Sequence, residues 1–121
     1  MDRLKKLKSE LSRVVARWKK DPSVRLIILF GSLANGTARS GSDINLIIVQ
    51  ETGKKFLQRL EPFYLDSRTA MDILVYTPDE FREMKERNFL KHALNNSLIL
   101  YEAGPARRRK PEKMTLVGRT Y

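Results

Sequence analysis

The chain has 121 residues, 24 Lys or Arg against 14 Asp or Glu, a formal net charge of +10, one histidine and no cysteine. That length suits one small domain with a real core and leaves no room for a second. The composition excludes a disulfide framework and a thiolate zinc site and argues against a histidine metal centre or a Ser-His relay, so any metal must be held by oxygen.

Leu4, Leu7, Leu11, Val14, Val15 and Trp18 recur at three- and four-residue steps and predict an amphipathic helix over about residues 2–19, with Lys and Arg on its opposite face. Asp21-Pro22-Ser23 ends it, because proline disfavours the helical conformation in the residue before it. Residues 24–30 are apolar apart from Arg25, which predicts a strand with both faces largely covered. Residues 31–42, with Gly31, Gly36 and Gly41, predict a loop with room for one helical turn. A second strand is expected over about 43–50, a helix through Phe56, Leu57, Leu60 and Phe63, and a third strand over residues 71–76.

Thr77-Pro78-Asp79-Glu80 has the form of a helix start: a threonine cap, proline at the first helical position, and a glutamate able to reach back to the cap. Phe81, Met84, Phe89, Leu90, Ala93 and Leu94 supply the buried side of one bent helix or two short ones. A short terminal strand or extended segment is expected over residues 98–101. The order implies an α/β (α+β) domain over residues 1–104, a mixed sheet backed by helices on one side with the other face left for a site. Residues 105–121 read as a basic tail, expected to be flexible because Arg107-Arg108-Arg109-Lys110 offers little to bury and much to repel.

Divided along the chain, the charge is uneven. Residues 1–21 carry eight Lys or Arg against three acids, residues 104–121 six against one, and residues 22–103 ten against ten. A neutral centre with basic ends reads more readily as solvated or partner-docking surface than as a polyanion site, so nucleic-acid binding is possible but not favoured. No apolar run is long enough to span a bilayer, and Met1-Asp2-Arg3-Leu4-Lys5-Lys6 lacks the apolar region of a signal peptide; a cytoplasmic protein is the expectation.

The chemistry concentrates in two places. Gly31 and Ser32 close the first strand, where a residue without Cβ lets backbone N–H groups approach phosphate oxygens, the hydroxyl adds a donor, and a following helix start would add its dipole. Ser32 capping a helical turn is compatible with that role. Ten residues further on, Asp43 and Asn45 stand two apart, so that as strand residues they project from one face while Ile44 and Leu46 pack behind. Asp72, near the start of the next strand, can be brought alongside by strand pairing. Three carboxylates around two Mg2+ ions are a common means of activating a hydroxyl and stabilising a leaving pyrophosphate; here two carboxylates remain. Arg39 is within the loop's reach of a phosphate, with a solvated arginine as the plain alternative. His92 fits a surface or interface position, and Trp18 the core.

Gly31-Ser32, ten residues, then Asp43-Ile44-Asn45, with Asp72 following in Met71-Asp72-Ile73-Leu74-Val75-Tyr76, resembles a minimal nucleotidyltransferase of the DNA polymerase β superfamily, the type often paired with a helical HEPN partner. The resemblance covers residues 24–102 and implies the nucleotidyltransferase fold, a nucleoside triphosphate substrate, usually ATP, two Mg2+ ions, and transfer of a nucleoside monophosphate to a hydroxyl. By carry-over, Gly31 and Ser32 would hold phosphate, Asp43 would bridge both metals, and Asp72 would ligate the catalytic metal and accept the attacking hydroxyl's proton. Asn45 stands where the family has its second metal-bridging aspartate, and Asn35 where many relatives have arginine. Loss of one anion predicts weaker Mg2+ binding and reduced turnover. The resemblance thus leaves two readings: an attenuated enzyme, or a non-catalytic nucleotide-binding or antitoxin-like partner of a HEPN protein. A small domain of this kind is also expected to complete its cleft with another subunit, such as a second copy.

Overall fold

The computed structural model describes residues 2–39 and 41–104. Helix α1 spans Asp2–Trp18, and its apolar stripe behaves as the spacing predicts. Leu7 and Val14 are fully buried, Trp18 nearly so, and Leu4, Leu11 and Val15 pack against the same cluster. Strand β1 (Val24–Phe30) leads into a single helical turn, α2 (Ser32–Asn35), followed by β2 (Ile44–Gln50). Then come a 3-10 turn at Phe56–Arg59, α3 (Leu60–Asp66), β3 (Met71–Tyr76), α4 (Pro78–Met84), α5 (Asn88–Leu94) and β4 (Leu98–Glu102).

The one helix expected through Phe56 and Phe63 is divided into the 3-10 turn and α3. Pro62 accounts for the division, because it has no N–H to give the carbonyl four residues back. The apolar run after Thr77 forms two short helices, and the cap is built as its residues predict. Glu80 N–H donates to Thr77 Oγ1 at 3.1 Å, and Thr77 N–H donates to Glu80 Oε1 at 2.9 Å.

The strands lie in the order β3-β2-β1-β4. β1 runs antiparallel to β2 and β4, and β2 runs parallel to β3, so the sheet is mixed. A parallel pair needs a crossover, which the 3-10 turn and α3 supply. This topology brings the carboxyl end of β1 and the amino ends of β2 and β3 to the same end of the sheet.

Helices cover both faces of the sheet, which corrects the expectation of helices on one side and a free face on the other. On one face Ile27, Leu29, Ile44, Leu46, Ile48, Ile73 and Val75 pack with α1 and with Phe63 of α3. On the other, Leu26, Ile28, Ile47, Val49 and Tyr76 pack with Phe81 of α4 and with Leu90 and Ala93 of α5. The physical reason is in the strands themselves: β1 and β2 are apolar at consecutive positions, and an uncovered face would leave every second residue in water. Each such side chain stabilises the fold by about 1.5–3 kcal/mol when fully buried.

Two buried charges tie the layers together. Glu10 of α1, 6% exposed, accepts from Arg13 at 2.8 and 2.9 Å and from the backbone N–H of Arg68 at 2.6 Å, which fixes α1 to the turn before β3. The Arg13 hydrogen bond holds the Glu10 carboxyl below the usual carboxylate range. Arg59, 7% exposed, donates to both Glu80 oxygens at 2.6 and 3.1 Å and to the carbonyls of Lys54 and Val75. It thereby joins the 3-10 turn to α4 across β3, and it lowers the pKa of Glu80. Among the described residues no helix is long and apolar enough to cross a membrane. The expected tail over 105–121 lies outside the described residues.

Candidate active site

The register of the three strands places the motif residues in a row. Phe30 of β1 pairs with Asn45 of β2, and Asn45 pairs with Asp72 of β3. Residues paired across neighbouring strands share a face, so Phe30, Asn45 and Asp72 lie side by side at intervals of about 4.8 Å. The next row inward is Ile28, Ile47 and Leu74, closed over by α4 and α5. The polar row therefore stands at the mouth of the covered face, with an apolar floor immediately behind it.

Asp43 lies just before β2, whereas the expected strand began with it. It is about half exposed and follows Ser42 at the edge of the loop. Strand pairing sets Asp72 directly beside Asn45 rather than beside Asp43, which is two residues upstream. Asp72 is exposed and Asn45 partly buried.

Gly31 is required where it stands. Its φ of +85° with ψ of −162° belongs to a region that residues with a side chain scarcely enter. A Cβ there would also come within 2.5 Å of Asn45 Nδ2 and 3.5 Å of its Cγ. The glycine thus lets the chain turn out of β1 while Asn45 lies against the backbone. The amide nitrogen of Asn45 is turned toward Gly31, and its carbonyl oxygen lies on the opposite side of the group.

The loop after Gly31 is closed by short polar contacts. Ser32 Oγ donates to Ser42 Oγ at 2.8 Å, and Arg39 N–H donates to the same oxygen at 2.9 Å. Ser42 was not singled out by sequence, yet it joins the two ends of the ten-residue spacer. Asn35 Oδ1 accepts from Thr37 N–H at 3.1 Å and from Thr37 Oγ1 at 2.6 Å, an Asx turn. Asn35 therefore works as a turn former. Arg39 carries an exposed side chain at the outer part of the loop. The turn α2 is four residues long, too short for a dipole argument to carry weight.

A residue that sequence reasoning missed also reaches this edge. Arg3, in the first turn of α1, donates to the carbonyl of Ser42 at 3.1 Å and pairs with Asp43 Oδ1 at 3.4 Å. On the sequence it is one more cation on the polar face of a basic helix, and nothing local distinguishes it from Lys5 or Lys6. His92 lies in the last turn of α5, and Trp18 is core, donating its indole N–H to Asp66 at 2.8 Å.

As a metal site this edge of the sheet offers the carboxylates of Asp43 and Asp72 and the carbonyl oxygen of Asn45. All are hard oxygen donors of the kind that suits Mg2+. Among the described residues no three His, Cys, Asp or Glu side chains gather into a metal-holding group. These residues fit a hard divalent ion, with one anion fewer than a three-carboxylate set.

The family profile described as polymerase beta, nucleotidyltransferase matches residues 12–105. A crystal structure of a candidate nucleotidyltransferase from Sulfolobus solfataricus superposes with a TM-score of 0.61 at 17% identity, over 80% of this chain and 81% of that one. At that identity the likeness is one of fold. No curated protein matches the chain.

Proposed function

This chain belongs to the polymerase β nucleotidyltransferase family, and on that premise we propose that its cleft binds a Mg2+-nucleoside triphosphate, ATP foremost. In this reading it transfers the nucleoside monophosphate to a hydroxyl acceptor with release of pyrophosphate, at a rate lowered by Asn45. The observation that carries the reading is the register of Asn45 with Asp72, two residues downstream of Asp43 and against Gly31.

In this reading Gly31 and Ser32 receive the phosphate chain. Gly31 keeps the backbone bare of Cβ beside Asn45, and Ser32, already bonded to Ser42, has a hydroxyl that can exchange that partner for a phosphate oxygen. Asp43 and Asp72 would be the anionic ligands of the metal, with Asn45 lending a neutral carbonyl. Bound Mg2+ would supply charge neutralisation on the phosphates and a lowered pKa for the attacking hydroxyl. In this reading Asp72, exposed at the head of β3, takes that hydroxyl's proton. Arg3 and Arg39 provide cations at the rim, the first already beside Asp43. The apolar floor of Ile28, Ile47 and Leu74 keeps water from the rear of the row and so strengthens its electrostatics.

Asn45 also favours a second reading, in which the cleft binds nucleotide without turning it over and the chain serves as the partner of a HEPN protein. Transfer of labelled AMP from ATP separates the two. With Mg2+, the chain and its Asn45→Asp version are assayed with and without a candidate partner. Transfer that is weak with the chain and strong with Asn45→Asp supports the enzyme reading. Tight partner binding with no transfer by either version supports the binding module.

A further inference from the structure

Beside the polar row stands an aromatic pair with no part in the chemistry above. Phe30 shares the sheet face of Asn45 as its cross-strand partner. Phe89, at the second position of α5, meets Phe30 in a T-shaped contact, with ring centroids 6.0 Å apart and planes at 83°. The two rings face different environments. Phe30 is partly buried, whereas Phe89 is 54% exposed.

That exposure is not imposed by the packing of α5. Leu90 and Ala93 of the same helix are 2% and 7% exposed and anchor it to the sheet, so Phe89 is not needed to hold α5 down. A large aromatic surface left in water beside a polar row is the composition of a small-molecule subsite, in which apolar walls carry the affinity and a few polar groups set the orientation.

We propose that Phe89, supported by Phe30, is the stacking platform for the nucleobase. This inference rests on the reading of the cleft as a nucleoside triphosphate site. The row then has a direction. The base lies at the β1 and α5 side on Phe89, and the phosphates lie toward Gly31, Asn45 and Asp72. From Phe30 to Asp72 is two strand spacings, about 10 Å, a gap for the sugar and first phosphates to cross. Stacking on a ring face accepts any base, because every base has a π-face, and it favours the larger purines by area.

The test compares two ligands that share phosphates and differ in the base. Binding of Mg2+-ATP and of Mg2+-tripolyphosphate is measured by calorimetry on the full chain, on Phe89→Ala and on Phe89→Tyr. Phe89→Ala is expected to weaken ATP about fivefold to a hundredfold, the usual range for removing a base-stacking ring. Tripolyphosphate binding should be unchanged and Phe89→Tyr should bind ATP as the parent does. Equal ATP affinity in parent and Phe89→Ala overturns the platform, as does an equal loss of both ligands, which marks a structural effect. If the parent chain binds neither ligand, the triphosphate reading itself falls, and the platform with it.

Discussion

Replacing Gly31 with alanine tests the joint between backbone and site. Two costs can be separated. The backbone at φ +85° and ψ −162° is essentially closed to a residue with a side chain, and holding one there costs about 1–3 kcal/mol. The new Cβ also meets Asn45 Nδ2 at 2.5 Å, which drives that side chain off its rotamer at about 0.5–1.5 kcal/mol. Chemical denaturation should therefore show Gly31→Ala destabilised by about 1.5–4.5 kcal/mol, the sum of these two terms. The second cost has a signature. In an Asn45→Ala background the clashing Nδ2 is gone and only Asn45 Cβ remains, at 3.8 Å, an ordinary contact. The double variant should then recover about 0.5–1.5 kcal/mol relative to the sum of the singles. Strict additivity would refute the contact between Gly31 and Asn45, and a neutral Gly31→Ala would refute the strained turn as well.

Further perturbations probe other parts of the account. Asn45→Asp restores the missing anion in a nearly isosteric shape, so Mn2+ titration followed by electron paramagnetic resonance should show metal affinity raised on the order of tenfold to a hundredfold, as ligand charge tunes oxygen sites. Arg3→Ala removes a cation that would compete with the proposed metal for Asp43; because the pair is about half exposed, the same titration should tighten only about twofold to fivefold. Acid should unfold the protein through its paired carboxylates. Glu10 and Glu80 are held low by their arginines. Burial pushes Asp66 up, but hydrogen bonds from Arg17 and Trp18 more than offset it, and the net shift is downward. Groups with depressed folded pKa values stabilise the fold above the unfolded carboxylate pKa of about 4, and that stability is lost as pH falls through and below it. Denaturation midpoints measured downward from pH 6 should drop through that window, and Glu80→Gln should flatten the drop.

Local signals were the ones legible in sequence. Thr77 and Glu80 form their reciprocal cap because all its atoms lie within four residues, and the α1 stripe buries as its spacing predicts. Gly31, Ser32, Asp43, Asn45 and Asp72 could be marked as a constellation, but their arrangement depends on strand register. The pairing of Asp72 with Asn45 rather than Asp43 is set by how β2 and β3 slide together, which no local pattern encodes. Coverage of both sheet faces was implicit in the unbroken apolar runs of β1 and β2. What hid it was the assignment of the apolar sides of α4 and α5 to no particular face. Arg3, Glu10 and Arg59 could not be found at all, since a charged helix residue looks the same in sequence whether it meets only water or a partner 40 or more residues away, as Arg3 and Glu10 do.

The central claim is that the edge formed by Gly31, Asp43, Asn45 and Asp72 holds a metal-bound nucleoside triphosphate. Calorimetric titration of ATP into the chain with and without Mg2+, repeated on Asp72→Asn, addresses it most directly. Binding should depend on Mg2+ and fall at least about tenfold in Asp72→Asn, where a second anion is lost. Binding that ignores both Mg2+ and Asp72, or no binding under any condition, would contradict it.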